Sequence, residues 1–267
     1  MRRRRFLVFL VAVASVAVAA VLGARALLGT ASVTPGCTLG HGPAAVDLDP
    51  EQAADAATIA GVALRLGLPD HAVTIALATA LQESKLYNLS YGDRDSLGVF
   101  QQRPSQGWGT PRQLMDPAYA AAAFYTHLAR IPGWESLPVS TAAQMVQRSA
   151  DGSAYVQWEE EARALARVLT GEVEAGLACR FDNPPQPRAA ALTSAATAQL
   201  GTLWSARGSD RGHDWATAEW LVAHAYAYGV VQVDVRGMRW TSASGRWRAA
   251  ASASPAASYR LAPLRSR

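Results

Sequence analysis

The sequence predicts a mainly α-helical protein with a small α+β module near its C-terminus. Apolar residues recur at helical spacing over most of 51–169, whereas residues 230–249 alternate like short strands. A Pro- and Ala-rich segment separates the two regions. At 267 residues the chain has room for one medium domain and a smaller one after an N-terminal targeting segment. We therefore place a helical domain at 51–181 and the module at 200–250.

The N-terminus has the pattern of a membrane anchor. Arg2–Arg5 precede an apolar run, Phe6–Gly23, that contains no charged residue. As a helix rising ~1.5 Å per residue this run would span about 27 Å, close to the hydrocarbon thickness of a bilayer. The basic cluster should stay in the cytoplasm, so we expect a transmembrane segment at 1–28 with the rest of the chain outside the cell membrane. Cleavage of this segment, which would give a secreted protein, stays open.

The helical domain begins after residues 29–50, whose Gly, Pro, Thr and Ala content predicts a linker. Asp49-Pro50-Glu51 then supplies an N-cap, a proline at the first helical position and an acidic first turn. The apolar spacing downstream predicts helices at 51–66, 71–86, 116–129, 141–148 and 154–169.

Residues 182–199 contain clustered prolines and alanines, which predict a second linker. The Ala-, Ser-, Pro- and Arg-rich residues 251–267 predict a disordered tail. Between them, the α+β module is predicted to contain a helix at 214–228 and strands at 230–235, 238–241 and 246–249.

Charge and cysteine content narrow the functional classes. The formal net charge is +4, and four of the positive charges are the arginines at 2–5, so no basic face for nucleic acid is evident. Outside the membrane, oxidising conditions favour a disulfide between Cys37 and Cys179 over a metal site, although two unpaired thiols stay an alternative. Such a bridge would tie together the ends of the helical domain. The spacing of His213, Asp214 and His224 does not match a metal site.

Glu83 is the first candidate for catalysis. It lies near the end of the second predicted helix, at the edge of the apolar stripe. A carboxyl in that position is partly desolvated, which raises its pKa and suits a general acid. Periodicity alone equally fits a solvated surface glutamate.

The residues that follow add a second motif. Glu83-Ser84, then a loop, then Ser96-Leu97-Gly98-Val99-Phe100-Gln101-Gln102 resembles the paired motifs of the lysozyme-like superfamily, which includes lytic transglycosylases and goose-type lysozymes. The resemblance covers about half of the chain, roughly 55–175. It implies a lysozyme-like fold with Glu83 as the acid at a helix C-terminus. It also implies that Ser84, Gly98, Gln101 and Gln102 line a sugar groove.

Two further segments resemble members of this superfamily. Phe100–Gly109 matches a segment of exported, membrane-anchored proteins of high-GC Gram-positive bacteria. Gly92-Asp93-Arg94 resembles a goose-type segment, which implies that Asp93 positions an attacking water, as an inverting hydrolase requires. Asp95 is a weaker candidate for that role, and both aspartates also fit a stabilised polar loop. Without a second carboxylate the lytic transglycosylase route remains, because the 6-hydroxyl of the sugar itself attacks.

The third motif of the superfamily is altered. An Ala-Tyr-Asn-Ala-Gly-like segment is replaced by residues 143–150, where Gln147 takes the place of the asparagine and the tyrosine is missing. Tyr155 is a candidate substitute for that tyrosine. Trp108, which is flanked by glycines, and Trp134 are candidate platforms for a sugar ring, although each also fits a core position.

The sequence thus predicts an enzyme that cleaves the β-1,4 bond between N-acetylmuramic acid and N-acetylglucosamine in peptidoglycan glycan strands, with no metal or organic cofactor. Its expected partners are those strands and, through the N-terminal helix, the cytoplasmic membrane. The main alternative is a lysozyme-like domain that binds glycan or a protein partner without cleaving.

Overall fold

The computed structural model describes residues 33–42, 45–149, 151–205, 208, 210–250 and 255–264. The transmembrane segment predicted at 1–28 lies outside these residues. Contacts divide the chain into two units, Met1–Thr34 and Pro35–Arg267, and nearly all described residues belong to the second. Within the described part of the chain, no helix combines the length and the apolar character that crossing a bilayer requires.

The first half of the second unit is mostly helical, as predicted. Two short strands, β1 (Gly36–Leu39) and β2 (Val46–Leu48), precede α1 (Pro50–Arg65) and α2 (Asp70–Ser84). The helices that follow are α3 (Pro111–Leu114), α4 (Pro117–Leu128), α5 (Val139–Gln147) and α6 (Glu159–Leu169). Residues Ser153–Trp158, predicted as the start of the last helix, instead form 3-10 turns that lead into α6.

The start of α1 follows the capping pattern in the sequence. Pro50 occupies the first turn, and the Gln52 side chain accepts a hydrogen bond from the Asp49 backbone N–H at 2.8 Å. Gln52 also donates to the Lys85 carbonyl at 2.8 Å. Because Lys85 directly follows α2, this contact ties the beginning of α1 to the end of α2.

A three-stranded antiparallel sheet with strand order β2-β1-β3 closes the helical part, where β3 is Leu177–Arg180. Cys37 lies opposite Cys179 in the β1–β3 register, and the two form a disulfide, which confirms the predicted bridge. The prediction of a linker at 29–50 is wrong for β1 and β2, because both strands pair in this sheet.

The C-terminal part contains α7 (Ala189–Leu200), α8 (Thr202–Ser205), α9 (Arg211–Ala223) and α10 (Ala225–Tyr228). Its sheet has the order β6-β5-β4-β7, with β4 (Val230–Val235), β5 (Met238–Thr241) and β6 (Arg246–Ala249) at the predicted places. The last strand, β7 (Ser258–Leu261), lies in the segment predicted to be disordered. That prediction is wrong for these four residues, because they pair with β4. α7 likewise occupies much of the predicted linker at 182–199.

The C-terminal part packs directly on the helical part. The fully buried carboxyl of Glu219, on α9, accepts hydrogen bonds from the backbone N–H groups of Gly176 (2.9 Å) and Leu177 (3.2 Å). The indole N–H groups of Trp240 and Trp247 donate to carbonyls of β3, at 3.1 and 2.8 Å. Buried residues of both parts belong to one hydrophobic cluster, so β3 is shared structure between them.

Candidate functional site

The end of α2 presents Glu83 at the surface of the helical part. The helix stops because Lys85 and Leu86 adopt left-handed backbone conformations, with φ of 57° and 64°. Glu83 therefore occupies the final turn, where its side chain is only partly buried. α5 and the Ser153–Trp158 turns pack against α2 on this side.

Tyr155 is the closest hydrogen-bond partner of Glu83. Its hydroxyl donates to Glu83 Oε1 at 2.8 Å, and the tyrosine itself is 1% exposed. Burial raises the pKa of Glu83 above its usual range, while the hydrogen bonds from Tyr155 and Gln147 and the charge of Lys85 act in the opposite direction. Burial dominates, so Glu83 holds its proton to a higher pH than an exposed glutamate.

Gln147 connects the carboxyl to the second motif. It ends α5, and its side-chain amide donates to the Phe100 carbonyl at 2.8 Å. The same side chain lowers the pKa of Glu83. The structure therefore brings together three residues from different parts of the sequence that were predicted to act in one site, Glu83, Gln147 and Tyr155.

Ser84 holds the second motif, residues 96–102, through a hydrogen bond to its backbone. It is 6% exposed, and its hydroxyl donates to the Val99 carbonyl at 2.7 Å and to the Ala80 carbonyl at 3.2 Å. Its only hydroxyl proton thus lies between two backbone carbonyls. Ser84 was predicted to bind substrate; the structure places it where it fixes the loop beside Glu83.

The loop conformation requires glycine at position 98. Gly98 has φ of +76°, and a Cβ there would lie 2.2 Å from the Leu114 carbonyl oxygen. Its N–H donates to the Leu89 carbonyl at 2.7 Å. Leu97 and Gln102 exchange two backbone hydrogen bonds of 3.0 Å across the turn, which closes the loop at its base.

The two glutamines of the motif point in different directions. Gln101 is partly exposed, and its amide donates to the carbonyls of Gly98 (3.1 Å) and Tyr91 (3.3 Å). Gln102 is 2% exposed and donates to the Ala120 carbonyl at 3.2 Å in the core. Gln101 lies at the surface of the loop, as a sugar ligand requires, whereas Gln102 does not.

Asp93 and Asp95 lie in contrasting environments. The Asp93 side chain is 89% exposed, and its charged neighbour is Arg94 at 4.0 Å. Asp95 accepts hydrogen bonds from Arg103 (2.9 Å) and from the backbone (2.7 Å) and hydroxyl (3.0 Å) of Ser105. These bonds lower the pKa of Asp95 to about 2. Asp95 therefore stabilises the loop, and Asp93 remains open to solvent.

The candidate tryptophans belong to the core. Trp108 is 9% exposed, and its ring packs on His127 with centroids 4.0 Å apart. Trp134 is 6% exposed and stacks on His71. The flanking glycines of Trp108 suggested exposure, but the indole fills space beside α4 instead of offering a face to a ligand.

Sequence reasoning missed three residues around the site. Lys85 holds its ammonium 4.0 Å from the ring centroid of Trp158, whose indole N–H donates to Gln82 at 2.7 Å. Tyr91 is 71% exposed beside Gln101. Lys85 could have been found from the sequence, because it is the single lysine of the chain and directly follows the Glu-Ser pair. Trp158 and Tyr91 could not, because their positions depend on tertiary packing.

This arrangement offers one half-buried carboxyl with a raised pKa beside a rigid loop. Across the described ranges, no group of three or more His, Cys, Asp or Glu residues is placed to hold a metal ion. No protein-family model matches the chain, and no curated protein has a similar sequence at a significant level.

Proposed function

We propose that this protein cleaves the glycan strands of peptidoglycan, with Glu83 as the general acid that protonates the leaving oxygen of the β-1,4 bond. One observation carries the proposal: burial raises the pKa of Glu83, which receives the Tyr155 hydrogen bond, while the residue remains partly exposed. A general acid has to retain its proton near neutral pH and still reach the substrate. The resemblance of 55–175 to lysozyme-like enzymes supplies the substrate class.

The surrounding residues fit supporting roles. Tyr155 and Gln147 fix the orientation of the carboxyl, and Ser84 fixes the loop on which Gly98 and Gln101 lie. Positioned groups of this kind lower the entropic cost of reaching the transition state. Tyr91, which is exposed next to Gln101, replaces Trp108 in this proposal as the aromatic face for a sugar ring.

The one-carboxyl route suits this site better than hydrolysis. Asp93 is nearly fully exposed, so little holds it in place to activate a water. In the one-carboxyl route, Glu83 donates its proton to the glycosidic oxygen as the C1–O bond breaks. The 6-hydroxyl of the same muramic acid then attacks C1 and returns its proton to Glu83. We therefore propose lytic transglycosylase chemistry, with no metal or organic cofactor.

The disulfide supports a location outside the cytoplasm. Structural disulfides persist in oxidising compartments and are rare in the cytosol, and Cys37 and Cys179 form one here. We propose an exported protein held at the cell membrane by 1–28, or a secreted one after cleavage. Peptidoglycan lies in that compartment.

A second candidate function is glycan binding without cleavage. The altered third motif favours it, because Gln147 stands where the superfamily has an asparagine and residues 143–150 contain no tyrosine. Incubation of purified peptidoglycan with the full-length chain separates the two functions. We expect the wild type and a Glu135→Gln control, which changes an exposed carboxyl, to release soluble fragments, and Glu83→Gln to release none. If the protein sediments with intact cell wall and neither the wild type nor a variant releases soluble fragments, the binding function would be supported.

A further inference from the structure

An acidic cavity that Glu83 does not line lies at the start of α1. It has a volume of about 430 Å³ and is bounded by the first turns of α1, the loop after α2, and α10. Three carboxyl side chains line it, Asp49, Glu51 and Asp55, together with two phenol rings, Tyr87 and Tyr226. We call it the Asp55 pocket. Its volume lies within the usual range for small-ligand sites, about 300–1,000 Å³.

Asp55 is the feature of the pocket that the fold does not explain. The residue is 7% exposed, and its Oδ2 atom is buried without a hydrogen-bond partner. Asp49, by contrast, accepts a hydrogen bond from the Tyr87 hydroxyl. The neighbours of Asp55 along the helix are alanines, so α1 does not need a carboxyl there. Buried polar atoms are nearly always paired, and an unpaired one calls for a partner that the chain itself does not provide.

For the ionised carboxyl, the missing partner is a cation or a hydrogen-bond donor. Within the described ranges, the carboxyl groups are not arranged to hold a metal ion. No lysine or arginine is among the described residues that line the pocket. We propose that the Asp55 pocket binds an organic cation, an ammonium or guanidinium group on an alkyl stem, with its charge against Asp55 and Glu51. The stem would pack against the rings of Tyr87 and Tyr226.

The protonation of Asp55 gives this binding a further signature. Burial, and to a smaller extent the neighbouring Glu51 carboxylate, raise the pKa of Asp55 to about 8. The other titratable groups facing it are Asp49 just before α1, Glu51 from α1, Tyr87 from the loop after α2, and Tyr226 from α10. The empty pocket therefore holds Asp55 largely protonated at pH 7. A bound cation favours the carboxylate, so binding releases a proton.

Isothermal titration calorimetry on the full-length chain tests the proposal. The probes are Nα-acetyl-lysine amide and Nα-acetyl-arginine amide, with Nα,Nε-diacetyl-lysine amide as the neutral control. At pH 7, in two buffers of different ionisation enthalpy, we expect saturable binding of a charged probe with net proton release. The neutral control should bind about tenfold more weakly or not at all. Asp55→Asn should abolish binding, and Glu51→Gln, on the exposed rim, should weaken it severalfold.

Matched variants make the result decisive. Asp182→Asn and Glu135→Gln change exposed carboxyls outside the pocket and should leave binding unchanged. Glu51→Gln tests the pocket even if Asp55→Asn fails to fold. The proposal is overturned if neither charged probe binds, if the neutral probe binds equally well, or if Ca²⁺ displaces the charged probe by occupying the site itself. Undiminished binding by a folded Asp55→Asn would also overturn it. Glycan cleavage is measured separately, so this result does not depend on the function of Glu83.

Discussion

At the scale of single residues, the behaviour of Glu83 depends on a balance between burial and hydrogen bonding. Burial favours the protonated form, and the phenol of Tyr155 favours the carboxylate. Tyr155 is itself buried, and its pKa is raised by that burial and by the adjacent Glu83. It therefore stays a neutral donor across the physiological pH range.

Removing the phenol hydroxyl should shift the pH dependence of cleavage. Tyr155→Phe deletes a hydrogen bond that lowers the pKa of Glu83, so this pKa should rise further above its usual range. A general acid loses activity as the pH rises through its pKa, so the alkaline limb of the pH–activity profile should move to higher pH. The measurement is fragment release from peptidoglycan as a function of pH.

Tyr119→Phe is the matched control for that experiment. Its hydroxyl donates to the Trp108 carbonyl at 3.4 Å, away from the carboxyl. Tyr119→Phe should leave the alkaline limb of the pH–activity profile at the wild-type pH. A downward shift in Tyr155→Phe, or equal shifts in both variants, would contradict the assigned role of Tyr155.

At the scale of elements, the loop after α2 is held in one conformation from several sides. The Ser84 hydroxyl and the Gln147 amide donate to its backbone, and within the loop the Gly98 N–H donates to the Leu89 carbonyl. Gly98 adds a steric condition, because it combines a positive φ with close contact to the Leu114 carbonyl. Preorganised loops of this kind support catalysis because little ordering remains when substrate binds.

Gly98→Ala should therefore destabilise the protein and lower its cleavage activity. We expect a loss of about 2–4 kcal/mol in the free energy of unfolding, because the added Cβ meets a backbone oxygen as well as an unfavourable φ. Gly133→Ala is the control, since Gly133 has φ of +71° and open space around a Cβ. Urea denaturation of both variants separates steric contact from backbone strain. Equal losses would contradict the close contact.

Elements also show what the sequence could and could not predict. The predicted bounds for α1 and for β4 to β6 agree closely with the structure because their periodicity and turn residues are local signals. β1 and β2 were missed because they are four and three residues long and one of their partners, β3, lies far along the chain. The burial of Trp108 and Gln102 likewise depends on their packing against α4. The local spacing predicts that helix but not which residues pack on it.

At the scale of the whole molecule, the disulfide ties together the two ends of the helical part, and α9 joins the C-terminal part to it. The Cys37–Cys179 bridge closes a sequence separation of 142 residues. On α9 and just after it, Trp220 and His224 stack with centroids 4.0 Å apart. His224 Nε2 lies 3.3 Å from the Thr58 hydroxyl of α1, so a C-terminal residue is buried against the helical part.

The disulfide should provide a large share of the stability. On the chain-entropy account, a bridge across so long a separation contributes up to about 5 kcal/mol. Cys37→Ser/Cys179→Ser should lower the free energy of unfolding in urea by several kcal/mol. The single Cys37→Ser variant should lose nearly as much, because one thiol cannot form the bridge. A loss below about 1 kcal/mol in the double variant would contradict this prediction.

Burial of His224 predicts acid sensitivity. Burial lowers the pKa of His224 from 6.5 to about 4, so the unfolded chain binds more protons between these values. The neutral, buried imidazole of His224 therefore contributes about 3 kcal/mol to the free energy of unfolding above pH 6.5. This contribution is lost as the pH falls towards 4. In urea denaturation at pH 7.5 and 4.5, His224→Phe should lose less stability on acidification than the wild type. If the wild type and His224→Phe lost equal stability on acidification, the prediction that His224 titrates in the core would be contradicted.

The most direct test of the central claim is the chemistry of the released glycan ends. Purified peptidoglycan would be digested with the full-length wild type and with Glu83→Gln, and the soluble fragments analysed by mass spectrometry. We predict 1,6-anhydromuramic ends, one water lighter than reducing ends, that disappear in the variant. Reducing ends that depend on Glu83 would contradict the one-carboxyl route and give Asp93 the role of water activation. Fragments that persist in Glu83→Gln, or none from the wild type, would contradict Glu83 as the catalytic acid.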